Sequence, residues 1–202
     1  MVRDDFLADL IAKMIAIPLL IGYSPKRWHK IVDVMLEKSP GDSRIHRLRI
    51  VALQESDFNQ SNRLAIGRPV LHSLEDDKAL PDMQYGSRPA RQCIGAVLLK
   101  VLQWEIQRIS KTTMAYIEND AIGCYDRIMN SLVILFLRKM GISRTILESL
   151  TQTWENKSHH IKTMYGISEQ SYENSANNFL YGPGQGSTIG PILWLICFLL
   201  IY

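Results

Sequence analysis

The sequence predicts a mixed fold of helices and strands, of the α/β or α+β class. Segments whose apolar residues recur at helical spacing alternate with short runs of β-branched and aromatic residues. The 202 residues are 47% hydrophobic and 21% charged, which is ordinary for a globular protein and excludes wholesale disorder. Three widely spaced cysteines exclude a disulfide scaffold and favour a reducing compartment.

Four elements are predicted in the first 53 residues. Residues 3–14 place apolar side chains at helical spacing, and residues 26–36 do the same behind a Ser-Pro start, so both are predicted to be helices. The sequence Ser-Pro-Gly-Asp at 39–42 predicts a turn. The run RLRIVAL at 47–53 predicts a strand.

The middle of the chain changes from a helical to a strand-like pattern. Residues 62–74 and 90–110 are predicted helices, separated by a loop at 80–89 that contains two prolines and a glycine. The following segment, KTTMAYIEN at 111–119, is rich in β-branched and aromatic residues and is predicted to be a strand.

The last third adds helices, two strands and a final apolar helix. Residues 126–140 form a predicted helix that Gly141 ends, and Ser143 caps a further helix that reaches about residue 156. Strands are predicted at 160–167 and 178–181. A glycine-rich turn at 182–190 then leads into a terminal helix that begins at Pro191.

Two aspartates near the end of the predicted strand 111–119 are candidate functional residues. Asp120 follows the strand directly, where a carboxylate that faces a cleft is a good ligand for a hard cation, and Asp126 follows six residues later. Structural alternatives stay open. For Asp126 we favour an N-cap of the next helix, and for Asp120 alone a cap or a surface turn is an equal explanation.

Two further segments have the composition of binding elements. The sequence YGPGQGSTIGP at 181–191 surrounds Gln185 with three glycines, which allow a ligand to approach the main chain closely. It is not a P-loop, because no Lys follows the last glycine of the run. A flexible connection between strand and helix is the alternative. The sequence QYGSRPAR at 84–91 carries two arginines, and a solvated turn is its default interpretation.

Charge distribution permits a polyanionic partner without requiring one. The net charge is +3, and residues 25–68 hold nine basic side chains against five acidic ones. The N-terminus lacks the positive charge of a secretory signal, and the final apolar run is shorter than the roughly 20 residues of a spanning helix. We therefore expect no membrane partner, and an intracellular location in the cytoplasm or nucleus.

Taken in order, four segments resemble the reverse transcriptase domain of non-LTR retrotransposons and related elements. The segment LRIVAL (Leu48–Leu53) is similar to the family's "RPISL", and residues 84–89 are similar to "QxGFRxG" with Tyr85 and Gly86 inverted. Residues 117–126, IENDAIGCYD, resemble the metal-binding motif, and residues 182–191 resemble "GxPQGSxLSP", with Gly184 where Pro is usual. The resemblance covers approximately residues 20–202.

The resemblance implies a right-hand polymerase fold of the α+β class. Fingers would comprise approximately residues 20–110 and 128–180, and an incomplete palm approximately residues 111–127 and 181–202. Such enzymes join nucleotides by two-metal phosphoryl transfer with Mg²⁺ or Mn²⁺, using an RNA template, a DNA primer and deoxynucleoside triphosphates. The oligomeric state is not implied.

The same resemblance assigns roles to individual residues. Asp120 would be the catalytic metal ligand, and Tyr125 would lie below the sugar and exclude a 2′-hydroxyl by its bulk. Gln185 would line the nucleotide and template side together with the backbone of Gly184 and Gly186. Arg49 would contact the triphosphate from the fingers.

One departure from the family pattern shapes the functional expectation. The family needs a second carboxylate pair in an aromatic-x-Asp-Asp hairpin, whereas no Asp follows Asp126 in this sequence. We therefore expect a fragment of a retroelement RNA-directed DNA polymerase that is inactive alone. Two alternatives remain: a non-catalytic nucleic-acid-binding remnant of a polymerase scaffold, and an interaction or membrane-associated protein that uses the apolar C-terminal run.

Overall fold

The computed structural model describes residues 4–121, 123–175 and 179–201. Its elements confirm the α+β class in coarse form, because they combine several helices with one small mixed sheet. The helices are α1 (Asp5–Ile21), α2 (Lys26–His29), α3 (Ser56–Asn62), α4 (Arg68–Asp76), α5 (Cys93–Ser110), α6 (Asn130–Lys139), α7 (Arg144–Glu155) and α8 (Gly190–Ile201). The strands are β1 (Lys30–Glu37), β2 (Leu48–Leu53), β3 (Ser158–Thr163), β4 (Gly166–Ile167) and β5 (Tyr172–Glu173).

Strand β1 lies inside the sheet, antiparallel to β2 on one side and parallel to β3 on the other. Strands β4 and β5 pair antiparallel with the two ends of β3. Strand β2 confirms the prediction at 47–53. The predicted strand 160–167 is instead a hairpin, because the chain turns at residues 164 and 165 between β3 and β4.

The predicted helix at 26–36 is wrong beyond its first turn. Helix α2 ends at His29, and the following residues form β1. Ile31 and Asp33 are buried at alternate positions, which is the period of a strand. Pairing with β2 and β3 outweighs the weak helical period in this β-branched segment.

Most other predicted helices are confirmed with shifted ends. Helix α1 is longer than predicted, because it continues through Pro18 to a left-handed Gly22 with φ 72°; residue 3 lies outside the described residues. Helices α3 and α4, joined by a π-helical turn at Arg63–Gly67, extend the predicted 62–74 in both directions. Ser143 caps α7 by accepting a hydrogen bond from the Ile146 N–H at 3.4 Å, as predicted.

Two predicted strands are wrong. Residues 112–121 form no helix or strand, and their side chains are exposed. Because β-propensity reflects packing against neighbouring strands, a β-rich segment without a partner gains no ladder. Residues 179–181 also form no strand, and residue 178 lies outside the described residues.

The hydrophobic core lies among the helices rather than on the sheet. Trp28 and Phe58 pack with ring centroids 5.1 Å apart, and apolar side chains of α4, α6, α7 and α8 complete the cluster. Helix α5 contributes no buried residue to it. Within the described part of the chain, no helix combines the length and the apolar character needed to cross a membrane.

Candidate functional site

The glycine turn at 182–190 packs closely between the segment that holds Tyr125 and the segment that holds Ala52. Gly182, Gly184 and Gly186 all have positive φ, at 71°, 81° and 125°. A Cβ at Gly182 would lie 1.7 Å from the Tyr125 carbonyl oxygen, and one at Gly186 would lie 2.4 Å from the Ala52 carbonyl oxygen. These two positions therefore require glycine for both conformation and space.

Hydrogen bonds attach the turn on both sides. The Ala52 N–H of β2 donates to the Gln185 carbonyl at 2.6 Å, and the Gly182 N–H donates to Asn130 Oδ1 at 3.0 Å. The Thr188 hydroxyl also donates to the Asn59 carbonyl of α3 at 2.7 Å. The turn is thus a fixed connection rather than a flexible one.

Tyr125 lies in a short 3₁₀ turn, Cys124–Arg127, that packs against the glycine turn. Its ring is half-buried, and a Cβ at Gly190 would lie 3.5 Å from it, so the first turn of α8 contacts the ring closely. Burial raises the pKa of the Tyr125 hydroxyl. Asp126 belongs to the same 3₁₀ turn, and the N-cap of α6 is Met129, so the cap interpretation of Asp126 is wrong.

A cavity of about 200 Å³ opens beside the glycine turn. Gly184 and Gln185 line it from the turn, Ile50 and Ala52 line it from β2, and Asp126 lines it from the 3₁₀ turn. Further lining residues are Asp33, Lys157, His159, Tyr172, Phe179, Leu180 and Tyr181.

Arg49 and Asp120 do not line this cavity. Arg49 is exposed on β2, and because side chains alternate along a strand it faces away from the side on which Ile50 and Ala52 meet the cavity. Asp120 is exposed in the irregular segment before the 3₁₀ turn, and no hydrogen bond or ion pair to its carboxylate is found among the described residues. Asp120 is therefore not at a strand end, contrary to prediction.

The metal prediction for Asp120 finds no surrounding ligand set. Within residues 4–121, 123–175 and 179–201, no three His, Cys, Asp or Glu side chains are grouped in a way that could hold a metal ion. Asp120 thus supplies a single exposed carboxylate. A divalent cation such as Mg²⁺ or Ca²⁺ is bound by several oxygen ligands.

The cavity is also lined by a buried polar cluster, which the sequence analysis did not predict. The Asp33 carboxylate is fully buried on β1, and its Oδ2 accepts hydrogen bonds from His159 Nδ1 at 3.0 Å and from the Tyr172 hydroxyl. The His159 and Tyr172 rings stack with centroids 4.9 Å apart. Lys157 is 2% exposed and donates to the Gly182 carbonyl at 2.6 Å, which joins the cluster to the glycine turn.

The pKa values of this cluster reflect its burial. Burial acts to raise the pKa of the Asp33 carboxyl, but the hydrogen bonds from His159 and Tyr172 outweigh it, and that pKa lies below its ordinary value. Burial lowers the pKa of Lys157 to about 8, against the attraction of Asp126 and Asp33. Burial and the hydrogen bond to Asp33 together raise the pKa of Tyr172. A sequence signal existed: Asp33 interrupts an otherwise apolar run.

The arginine-containing segment at 84–91 has a structural role. Arg88 donates from Nε and Nη2 to both carboxylate oxygens of Glu75 at 2.8 and 2.7 Å, and from Nη1 to the Pro81 carbonyl at 2.8 Å. The hydrogen bond with Glu75 raises the pKa of Arg88. This bidentate contact holds the loop against α4. Arg88 does not line the cavity.

Comparison of the chain with protein-family models and with curated proteins yields no match. The chemistry that the cavity can perform therefore follows from its own residues. One buried carboxylate, one buried amine, a glutamine and a close-approach glycine turn are suited to binding a polar ligand through directional hydrogen bonds.

Proposed function

We propose that this chain is part of a retroelement RNA-directed DNA polymerase and forms a nucleotide- and template-facing wall of it. The observation that carries the proposal is the meeting of three motif-bearing segments that are far apart in sequence. The glycine turn around Gln185 lies against strand β2 on one side and against the turn that holds Tyr125 on the other, in both cases through main-chain atoms. These segments resemble polymerase motifs in the same order, and their proximity supports the proposal.

The proposed roles follow from position. Tyr125 packs on the first turn of α8 and would support the sugar, and Gln185 lines the cavity beside the backbone of Gly184. Gly186 keeps the turn close to β2. Arg49, on the outer face of β2, would contact phosphate at the surface rather than inside the cavity.

The proposed activity of this chain alone is binding without turnover. In a complete polymerase of this type, Mg²⁺ or Mn²⁺ supplies charge stabilisation for nucleotidyl transfer. Asp120 would be one ligand, but the described residues do not complete a ligand set, and no Asp follows Asp126 in the sequence. The proposed partners are an RNA template, a DNA primer and deoxynucleoside triphosphates, which places the chain inside the cell, in the cytoplasm or nucleus.

The domain assignment is also part of the proposal. Residues 20–110 and 128–180 would be fingers, and residues 111–127 and 181–202 would be palm. The cavity would then lie where fingers and palm meet, because β2 comes from the first set and the turns of Tyr125 and Gln185 lie in or beside the second.

A second candidate function is sequence-independent nucleic-acid binding by a remnant scaffold, and one observation favours it. All nine basic side chains between residues 25 and 68 are exposed. Two of them are occupied by ion pairs, Arg27 with Asp57 and Arg44 with Asp42. The remaining seven can contact phosphates, and such binding depends steeply on salt.

Fluorescence anisotropy of a labelled RNA–DNA primer–template distinguishes the two functions. We expect Gln185→Ala to weaken binding by about tenfold, because a directional contact is lost. The matched control is Gln103→Ala, on the exposed surface of α5, with unchanged binding. Binding that Gln185→Ala leaves unchanged, and that salt abolishes, would instead support the remnant scaffold.

A primer-extension assay with Mg²⁺ or Mn²⁺ tests the second half of the proposal. We expect no incorporation of nucleotides. Template-dependent extension that Asp120→Ala abolishes would show that the chain polymerises by itself and would overturn binding without turnover.

A further inference from the structure

The cavity contains an acceptor that nothing in the described structure satisfies. Asp33 Oδ1 has no hydrogen-bond partner among the described residues, although the carboxylate is 0% exposed. The other oxygen, Oδ2, already accepts from His159 and Tyr172. An unmade bond at a buried charged acceptor is costly, so this position is complementary to a ligand that brings an N–H or O–H donor.

Lys157 provides the opposite polarity in the same cavity. Its ammonium donates one N–H to the Gly182 carbonyl at 2.6 Å, and an ammonium carries three N–H donors. Asp33 and Asp126 both attract its charge. One cavity therefore presents a buried acceptor from the middle of β1 and a buried donor from the residue that precedes β3.

The remaining walls restrict the shape of the ligand. Ile50, Ala52 and Leu180 supply apolar surface, and Phe179 and Tyr181 supply aromatic rings 6.3 Å apart. A volume of about 200 Å³ is below that of a drug-sized pocket and suits a single ring system. A planar ring with a donor and an acceptor on one edge matches the volume of the cavity and the polarity of the two groups.

We propose that the cavity binds the lactam edge of one nucleobase, with Asp33 Oδ1 accepting the ring N–H and Lys157 donating to the adjacent carbonyl oxygen. The choice of a nucleobase among lactams rests on the proposed function. Guanine, hypoxanthine and uracil present this edge. Adenine and cytosine carry these two functions in exchanged positions, with an exocyclic amine as the donor and a ring nitrogen as the acceptor, so they lack the ring N–H and the adjacent carbonyl of the proposed pairing.

A ligand pair on the unaltered chain tests the proposal without any question of folding. Isothermal titration compares inosine with 1-methylinosine, which lacks the ring N–H and keeps the carbonyl. We expect inosine to bind and methylation to weaken binding at least tenfold, because the buried acceptor is then left unpaired. Equal affinities, or no binding of inosine at millimolar concentration, would overturn the proposal.

Two further arms separate this site from the proposed function. Guanosine and uridine, which present the same lactam edge, are expected to bind as inosine does. Lys157→Met is expected to weaken inosine binding, with circular dichroism to verify folding. If primer–template binds through Gln185 while no nucleoside binds, only the base-edge proposal fails. If inosine binds and primer–template does not, the proposed function fails and the base-edge site stands.

Discussion

Asp33 is the residue whose environment most strongly constrains the candidate site. Replacing it with Ala removes the acceptor of two hydrogen bonds and leaves His159 and the Tyr172 hydroxyl unpaired in a buried place. We expect Asp33→Ala to lower the free energy of unfolding by about 3 kcal/mol. Urea denaturation measures this. Glu169→Ala, which removes an exposed carboxylate, is the control and is expected to cost less than about 0.5 kcal/mol.

Lys157 gives the fold a pH dependence of defined sign. Its pKa is lowered from 10.5 to about 8 in the folded state, so between these values the unfolded chain binds more protons than the folded one. The free energy of unfolding therefore rises as pH increases above 8, on the order of 1–2 kcal/mol by pH 9.5. Below pH 8 the cost of burying the charged amine is constant.

The Lys157→Met variant isolates this contribution. Methionine fills a similar volume without a charge, so the rise between pH 8 and 9.5 is expected to disappear. Urea denaturation at a series of pH values measures both proteins. An equal rise in the variant would mean that another group causes it and would contradict the burial of a charged Lys157.

At the scale of elements, the glycine turn is the part of the structure with the least tolerance for change. Gly182→Ala places a Cβ 1.7 Å from the Tyr125 carbonyl oxygen, whereas at Gly41, which also has positive φ, a Cβ meets nothing within 4 Å. Gly41→Ala is therefore a matched control for backbone strain alone, about 1 kcal/mol. We expect Gly182→Ala to lower the free energy of unfolding by at least about 2 kcal/mol more than Gly41→Ala. Equal losses, measured by urea denaturation, would contradict the close packing of the turn.

Sequence pattern predicts elements well where local preference and tertiary packing agree. Helix α7 has a capping serine and an amphipathic period, and the glycine turn and β2 carry clear turn and strand signals. Sequence pattern predicts the wrong element where pairing between strands determines the structure. Strand β1 has a sequence that fits a helix or a strand, and its neighbours β2 and β3 select the strand. Residues 111–119 have strand composition and no partner among the described residues.

At the scale of the whole molecule, apolar surface is concentrated on α1 and α5. Leu98, Leu102 and Ile106 of α5 are 55%, 48% and 61% exposed. Such a face favours association in water. We expect sedimentation velocity to show concentration-dependent self-association that Leu98→Lys reduces. Gln103→Lys, which adds the same charge to an already polar position of α5, is the control. Equal reduction by both variants would attribute association to charge instead.

The candidate site was predictable only in part, for a reason that lies in long-range contacts. Tyr125, Gly184 and Gln185 were named from sequence motifs, and the structure brings the turns that carry them together. Asp33 and Lys157 were not named, because they are 124 positions apart and neither belongs to a motif. Their proximity arises from the parallel pairing of β1 with β3, which no local pattern encodes.

If the proposed function is correct, β2, the Tyr125 turn and the glycine turn act together as one nucleic-acid-binding surface. Hydrogen–deuterium exchange, with and without an RNA–DNA primer–template, locates the bound region directly. We expect slower exchange in peptides that cover residues 123–127 and 182–190 when the duplex is bound. Slower exchange confined to the basic residues 26–47 and 63–68, with no change at the two turns, would contradict it.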